Sequence, residues 1–316
     1  MELYHQIDAA IRRYTLRTPG DNRPVTYQGL YLAGGPSAQS PAAPDGNGRR
    51  PVLLLGGTSI TLSDQKELIA ELVRSGLAVA AMQTPMGGPL AVGIAPRRMR
   101  PLCLADFLAR LQRDAGIQAV DVVAHSYAAF EVLRVLMSAP RAYRGLIRSI
   151  VLVNPPGFEA RFGFATHCRR VVGGHILCGY MEMLLLRWGC RRWALGKAAG
   201  SRRAFTEREI RGITAMTARG LKNVVRTHRE IRDIVTFKIE QPLGRLWTEH
   251  GYAFYLFLNA GDRMVAVRET LRRAVDLLPK ENIRLVPGGH NDLLFQQWQR
   301  PAFLKFLHEI RARHPL

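Results

Sequence analysis

Short apolar runs alternate with amphipathic stretches along most of this chain. Pro51 to Leu55, Leu77 to Met82, Val120 to Ala124, Ser149 to Val153, Tyr252 to Leu258 and Ile283 to Val286 each read as a buried strand. Between them, apolar residues fall at helical spacing: Leu68, Ile69, Leu72 and Val73; Leu104, Phe107, Leu108 and Leu111; Val132 to Met137; Val267, Leu271, Val275 and Leu278. Ser63 stands where it could cap the first of these helices, with Asp64 and Glu67 in the first turn and Gly76 at the end. Pro140 and Pro279 stop the third and fourth. Phe303, Phe306 and Leu307 suggest a C-terminal helix packed on the sheet. Strands alternating with helices predict an α/β fold: a mostly parallel twisted sheet with helices on both faces.

The pattern changes at the N-terminus and in the middle. Residues 1–20 read as an amphipathic helix with Ile7, Ala10, Ile11 and Tyr14 on one side, and Pro24 to Gly34 as an early strand at an antiparallel edge. Residues 35–48 are a Pro/Gly/Ala/Ser linker without apolar periodicity. Pro155-Pro156-Gly157 then ends the alternation, and from about Phe158 to Gly251 the chain turns helical and basic. Thr206 and Glu209 have capping-box spacing there, and Leu221, Val224, Val225, His228 and Ile231 form an apolar face beside a ridge of Arg219, Lys222, Arg226 and Arg229. This predicts three parts: core residues 1–157, an inserted helical cap at 158–251, and core residues 252–316.

Composition changes this picture in one respect. A chain of 316 residues that is 47% hydrophobic can bury a substantial core, but its formal net charge is +20. Six lysines stand against 39 arginines, a bias that a GC-rich genome alone can produce, yet the sign still concentrates anionic partners. Residues 159–250 hold 18 Lys/Arg against 8 Asp/Glu, half of the whole excess. Acidic carrier proteins, CoA esters and an anionic membrane surface suit such a field. Nucleic acid is disfavoured, because no recognised binding module surrounds the charge. Leu184-Leu185-Leu186, flanked by Arg187, Trp188, Arg191, Arg192 and Trp193, is the stretch suited to a membrane interface, although leucines at that spacing also pack on a core. Gly189 to Lys197 is no phosphate loop, since six residues separate its glycines and Ala198 follows the lysine. Cys103, Cys168, Cys178 and Cys190 form neither a C-x-x-C pair nor a zinc pattern. Buried thiols, no metal, no organic cofactor and a cytoplasmic location, peripheral to membrane at most, are the expectations. The first residues lack a secretory leader's apolar region, and no run reaches the ~18 apolar residues of a span.

The candidate chemistry lies where the run Val120 to His125 meets the helical run from Ala128, with Ser126 at the joint. A serine hydroxyl is a weak nucleophile at neutral pH, so it has to stand clear of the backbone beside a base. Ala124 and Ala128, two residues to either side, supply the small neighbours that such a strand-to-helix turn requires. Asp262 ends the strand-like run from Tyr252, and His290 ends the run Ile283 to Gly289. Gly-Asp at a strand end also commonly opens a helix, so Asp262 has a structural reading beside the chemical one. Asn154, ending the strand before it, cannot provide a negative charge. Asp292 reads, with Asn291, as a cap of the last helix, and His125 as a packing residue.

The small-x-Ser-x-small elbow, followed in chain order by Asp262 and His290, resembles the α/β-hydrolase family in its serine-nucleophile branch. The resemblance covers roughly residues 25–157 and 252–313. It implies a catalytic triad of Ser126, Asp262 and His290, with an oxyanion hole built from the backbone N–H of Tyr127 and one from the Gly56-Gly57-Thr58 turn, either Thr58 or Gly57. Gly56-Gly57 stands where the family commonly has histidine and glycine, and Thr84-Pro85-Met86-Gly87-Gly88 lacks the aspartate of the family's following turn. The stretch from Leu277 to Phe295 resembles the end of acid-lipase-type members, which leans towards acyl lipids. The implied activity is hydrolysis of an acyl ester. A thioesterase or acyltransferase acting on acyl-carrier or CoA thioesters is the first alternative, and a catalytically silent binding protein the second. Arg219, Lys222, Arg226 and Arg229 are the candidate anion-binding positions.

Overall fold

A computed structural model describes residues 2–18, 24–33, 50–57, 60–83, 96–158, 237–262 and 264–315. The predicted linker, most of the predicted cap, Thr58, Cys168, Cys178, Cys190 and the ridge Arg219, Lys222, Arg226 and Arg229 lie outside the described residues. In chain order the elements are α1 (Glu2–Ala10), β1 (Arg12–Arg17), β2 (Pro24–Leu32), β3 (Val52–Leu55), α2 (Leu62–Arg74), β4 (Val79–Gln83), α3 (Pro96–Ala115), β5 (Val120–His125), α4 (Ala128–Ser138) and β6 (Ile147–Val153). After the undescribed stretch come α5 (Glu240–Thr248), β7 (Phe254–Asn259), α6 (Val267–Ala274), β8 (Ile283–Val286), α7 (Asp292–Phe295) and α8 (Arg300–Arg313).

Eight strands form one sheet in the order β1-β2-β4-β3-β5-β6-β7-β8. The β1–β2 and β2–β4 pairs are antiparallel and every other pair is parallel. Period-two alternation divides each central strand between two cores. Leu53, Leu55, Val122 and Ala124 join one with Leu104, Phe107 and Leu108 of α3, Phe130 and Leu133 of α4, and Leu243 and Leu246 of α5. Val52, Leu54 and Val123 join the other, with Ile7 of α1, Leu68, Ile69 and Leu72 of α2, and Phe303, Phe306 and Leu307 of α8. Both faces are therefore covered, as parallel strands require.

Several local expectations are corrected. Helix α1 stops at Ala10, and Tyr14 sits on a strand, where the alternation of Arg12 to Arg17 lays Tyr14 and Leu16 against the core and Tyr14 against Tyr27 and Phe107. β1 consequently lies outside β2, and the two form the antiparallel edge of the sheet. The cap of α2 is Thr61 rather than Ser63: its hydroxyl accepts from the Asp64 N–H at 3.1 Å and Asp64 accepts from the Thr61 N–H at 2.9 Å, a capping box that needs a three-residue separation. Val275 is exposed, because α6 ends at Ala274 and that alanine takes the inward place beside Val267. The stretch 240–248, grouped with the insertion on composition, packs as α5 beside α4.

Asp121 interrupts the apolar face of β5 at its lower end. It is fully buried, paired with Arg50 at 2.5 Å and Arg311 at 3.2 Å, and accepts from the Ser149 hydroxyl at 2.5 Å. Arg50 also donates to the His314 carbonyl, so β5 is tied to the end of α8. Asp121→Asn would remove the buried negative charge that both guanidinium groups share. It is expected to lower unfolding free energy by about 3–5 kcal/mol in urea titration, whereas a drop below ~1 kcal/mol would mean the cluster is solvated.

Candidate active site

The upper end of β5 carries the nucleophile candidate. Its last residue, His125, is followed by Ser126 at φ 54°, a left-handed conformation that costs a residue with a Cβ about 1–2 kcal/mol. The turn is held by the Ser126 N–H donating to Val153 of β6 at 2.8 Å and by the start of α4 immediately beyond. Ala124 and Ala128 are completely buried, which is why only small residues fit on either side. Gly57 packs directly against this turn. A Cβ there would stand 2.8 Å from the Ser126 Cβ and 3.1 Å from the His125 carbonyl, so the loop after β3 approaches the serine only as glycine.

The three residues separated along the chain meet here. The His290 Nε2 lies 2.9 Å from the Ser126 Oγ, and the His290 Nδ1 lies 2.6 Å from the Asp262 Oδ2. All three side chains are buried. Burial pushes the Asp262 carboxyl up. Electrostatic attraction to the His290 ring, its hydrogen bond, and the N–H groups of Val265 and Met264 outweigh burial and hold the carboxyl below its ordinary value. An ionised Asp262 can only accept, so the His290 Nδ1 carries the proton and its Nε2 presents a lone pair to the serine O–H. The two readings of Asp262 turn out to be compatible: Oδ2 takes the histidine, while Oδ1 accepts from Met264 at 2.7 Å and Val265 at 3.1 Å ahead of α6.

The loop that carries His290 is held at four successive carbonyls. Pro287 accepts from the Gln299 side chain, Gly288 from the Gly261 N–H, Gly289 from the Asn259 side chain, and His290 from the Asn154 side chain at 2.8 Å. Asn154 also accepts from the Asn259 N–H at 2.8 Å, and Gln299 donates to the Asn259 Oδ1 at 2.7 Å. Gly288, at φ 126°, has no space for a side chain beside Gln299 and Asp292. Asp292 does not cap α7 as expected: its carboxylate reaches back to the Gly289 N–H at 2.7 Å. Sequence reasoning missed this role of Asn154, Asn259 and Gln299. For the two asparagines the signal was available, a polar residue of low β-propensity closing each apolar strand; for Gln299 there was none.

His125 likewise does more than fill space. Its Nε2 lies 2.9 Å from the His290 carbonyl, so Nε2 carries the proton and donates. Burial, together with the nearby His290, lowers its pKa to about 3 despite that hydrogen bond. The ring is neutral in the fold but titrates near 6.5 once unfolded. Stability from this group is full above pH 6.5 and falls as pH drops towards 3, because the unfolded chain binds the extra proton. His125→Gln should flatten the stability profile between those values by up to one proton, about 1.4 kcal/mol per pH unit. Unchanged slopes in urea titrations at pH 4.5 and 6.5 would show that this ring is already solvated.

No protein-family model matches the chain, and no curated protein matches it in sequence. Its similarity to known proteins lies in three dimensions. A structure from a study of carboxylesterases of the thaumarchaeon Nitrososphaera gargenis superposes with a TM-score of 0.60 at 13% identity, over 95% of this chain and 100% of that one. A bromoperoxidase from Bacillus anthracis gives 0.62 at 15%, over 94% and 100%. An alpha/beta hydrolase enzyme from the sediment metagenome of the Mar Chica lagoon gives 0.53 at 12%, over 95% and 98%. Taken with the sheet order and the strand-to-helix elbow, these likenesses show that the chain has the α/β-hydrolase fold.

Proposed function

We propose that this protein is a serine hydrolase that cleaves an acyl ester through an acyl-enzyme intermediate. The observation that carries the reading is the unbroken line of hydrogen bonds from the Ser126 Oγ through the His290 ring to the buried Asp262 carboxylate. In this mechanism the His290 Nε2 takes the hydroxyl proton as Ser126 attacks the acyl carbonyl, then returns it to the leaving alkoxide. Asp262 keeps the imidazole in the productive tautomer and balances the imidazolium. The N–H of Tyr127 and one from the Gly57-Thr58 turn stabilise the oxyanion, and water, deprotonated by His290, releases the acid. The carboxylesterase likeness favours a carboxylic ester, and the lipase-like C-terminal pattern an apolar acyl chain.

The basic segment favours a second reading of the same site. The stretch from 159 to 239, ahead of α5, would cap the strand ends and admit the substrate, and its 17 basic residues, among them Arg219, Lys222, Arg226 and Arg229, suit the phosphates of a CoA thioester or the face of an acidic carrier protein.

A fluorophosphonate probe should label the wild-type protein at Ser126 and leave Ser126→Ala unlabelled. Turnover of nitrophenyl esters should fall at least ~10³-fold in Ser126→Ala and about 10⁴-fold in Asp262→Asn, whose neutral amide no longer selects the tautomer. Faster turnover of acyl-CoA or acyl-carrier substrates than of any ester would select the thioesterase reading. Full activity in Ser126→Ala would end both.

A further inference from the structure

A buried arginine outside the triad touches both sides of the elbow. Arg100, on the first turns of α3, donates through Nη2 to the Gly56 carbonyl at 3.2 Å. Its guanidinium carbon stands 4.7 Å from the centre of the Tyr127 ring. Its Nε is paired with the Glu131 carboxylate in the first turn of α4. All of these residues are buried, with Arg100 only 4% exposed. One planar cation thus meets the loop after β3, the residue after the serine, and the helix that this residue begins.

A buried ion pair is weak evidence for stability, because desolvating both charges offsets most of their attraction, and apolar residues of similar volume often fold as well. The arrangement is better explained by what it joins. Gly56 and Tyr127 belong to the two backbone segments that supply the oxyanion N–H groups under the hydrolase reading, and Arg100 touches both. Arginine suits such a bridge, since its fork offers several donors in one fixed plane and its face stacks on an aromatic ring, whereas a lysine ammonium makes point contacts only. Glu131 neutralises the cation nearby, so the effect is one of geometry rather than of net positive charge.

We propose that Arg100 is a positioning residue for the oxyanion hole, fixing the Gly56-Gly57 turn and Tyr127 at the separation the tetrahedral intermediate requires. This rests on the assignment of Ser126 as nucleophile. Arg100→Lys keeps a charge for Glu131 but cannot span both segments; the double variant Arg100→Met with Glu131→Gln removes the pair without leaving a buried charge alone. Both should lower the fluorophosphonate labelling rate and ester kcat about 10- to 100-fold while KM moves less than about threefold, since the contact acts on the transition state. Amide hydrogen exchange should quicken in the peptides containing Gly57 and Tyr127 and stay unchanged across β6 and β7. Labelling within twofold of wild type in both variants, or exchange that quickens throughout the sheet, would overturn the proposal. An unlabelled wild type would instead overturn the hydrolase reading. In that event the exchange at Gly57 and Tyr127, which needs no activity, still decides whether Arg100 holds the two segments together.

Discussion

The constraint on which the site depends is the left-handed backbone of Ser126. A side chain at φ 54° is unfavourable on its own and persists only where the surroundings over-determine it. Here they do so through the sheet bond to Val153, the onset of α4, and the pressure of Gly57 on the serine itself. The hydroxyl is thereby raised off the sheet's upper edge towards the His290 ring, and the small residues at 124 and 128 follow as consequences of the turn.

The acid and the histidine reach that hydroxyl from two separate strand ends, and their placement rests on polar side chains rather than on packing. Four neighbouring carbonyls of the 287–290 loop each find a fixed donor, drawn from β6, β7 and the turns beside α7 and α8. A loop without such partners would place its imidazole by side-chain rotamer alone, and an ångström of drift there is costly to proton transfer. Buried amides are expensive unless their bonding is complete, so Asn154 and Asn259 are best understood as groups held for orientation.

Much of this was legible in the residues. Six apolar runs and the helices between them announced a covered parallel sheet, because burial on both faces writes itself as unbroken Val, Ile, Leu and Phe. Ser126, Asp262 and His290 were legible because each stands just past an apolar strand-like run, where a polar residue of the right chemistry stands out. What was not legible depended on partners distant in the chain. Asp121 sits in an apolar run, and only folding brings Arg50 and Arg311 to it. Tyr14 fits a helical face as well as a strand, and its place was decided by pairing with β2. Arg100 looked like one arginine among many, since nothing local marks the one that folding buries.

The ionic cluster at the foot of β5 has a consequence for the opposite end of that strand. Five residue steps at about 3.3 Å put Asp121 roughly 17 Å below Ser126 on the same extended backbone. The strand is thus moored at its base by Arg311 of the final helix and by Arg50 ahead of β3, and its crown is bent into the elbow. Through Arg311 and the His314 carbonyl, the close of the final helix is tied to the same strand whose far end carries the serine.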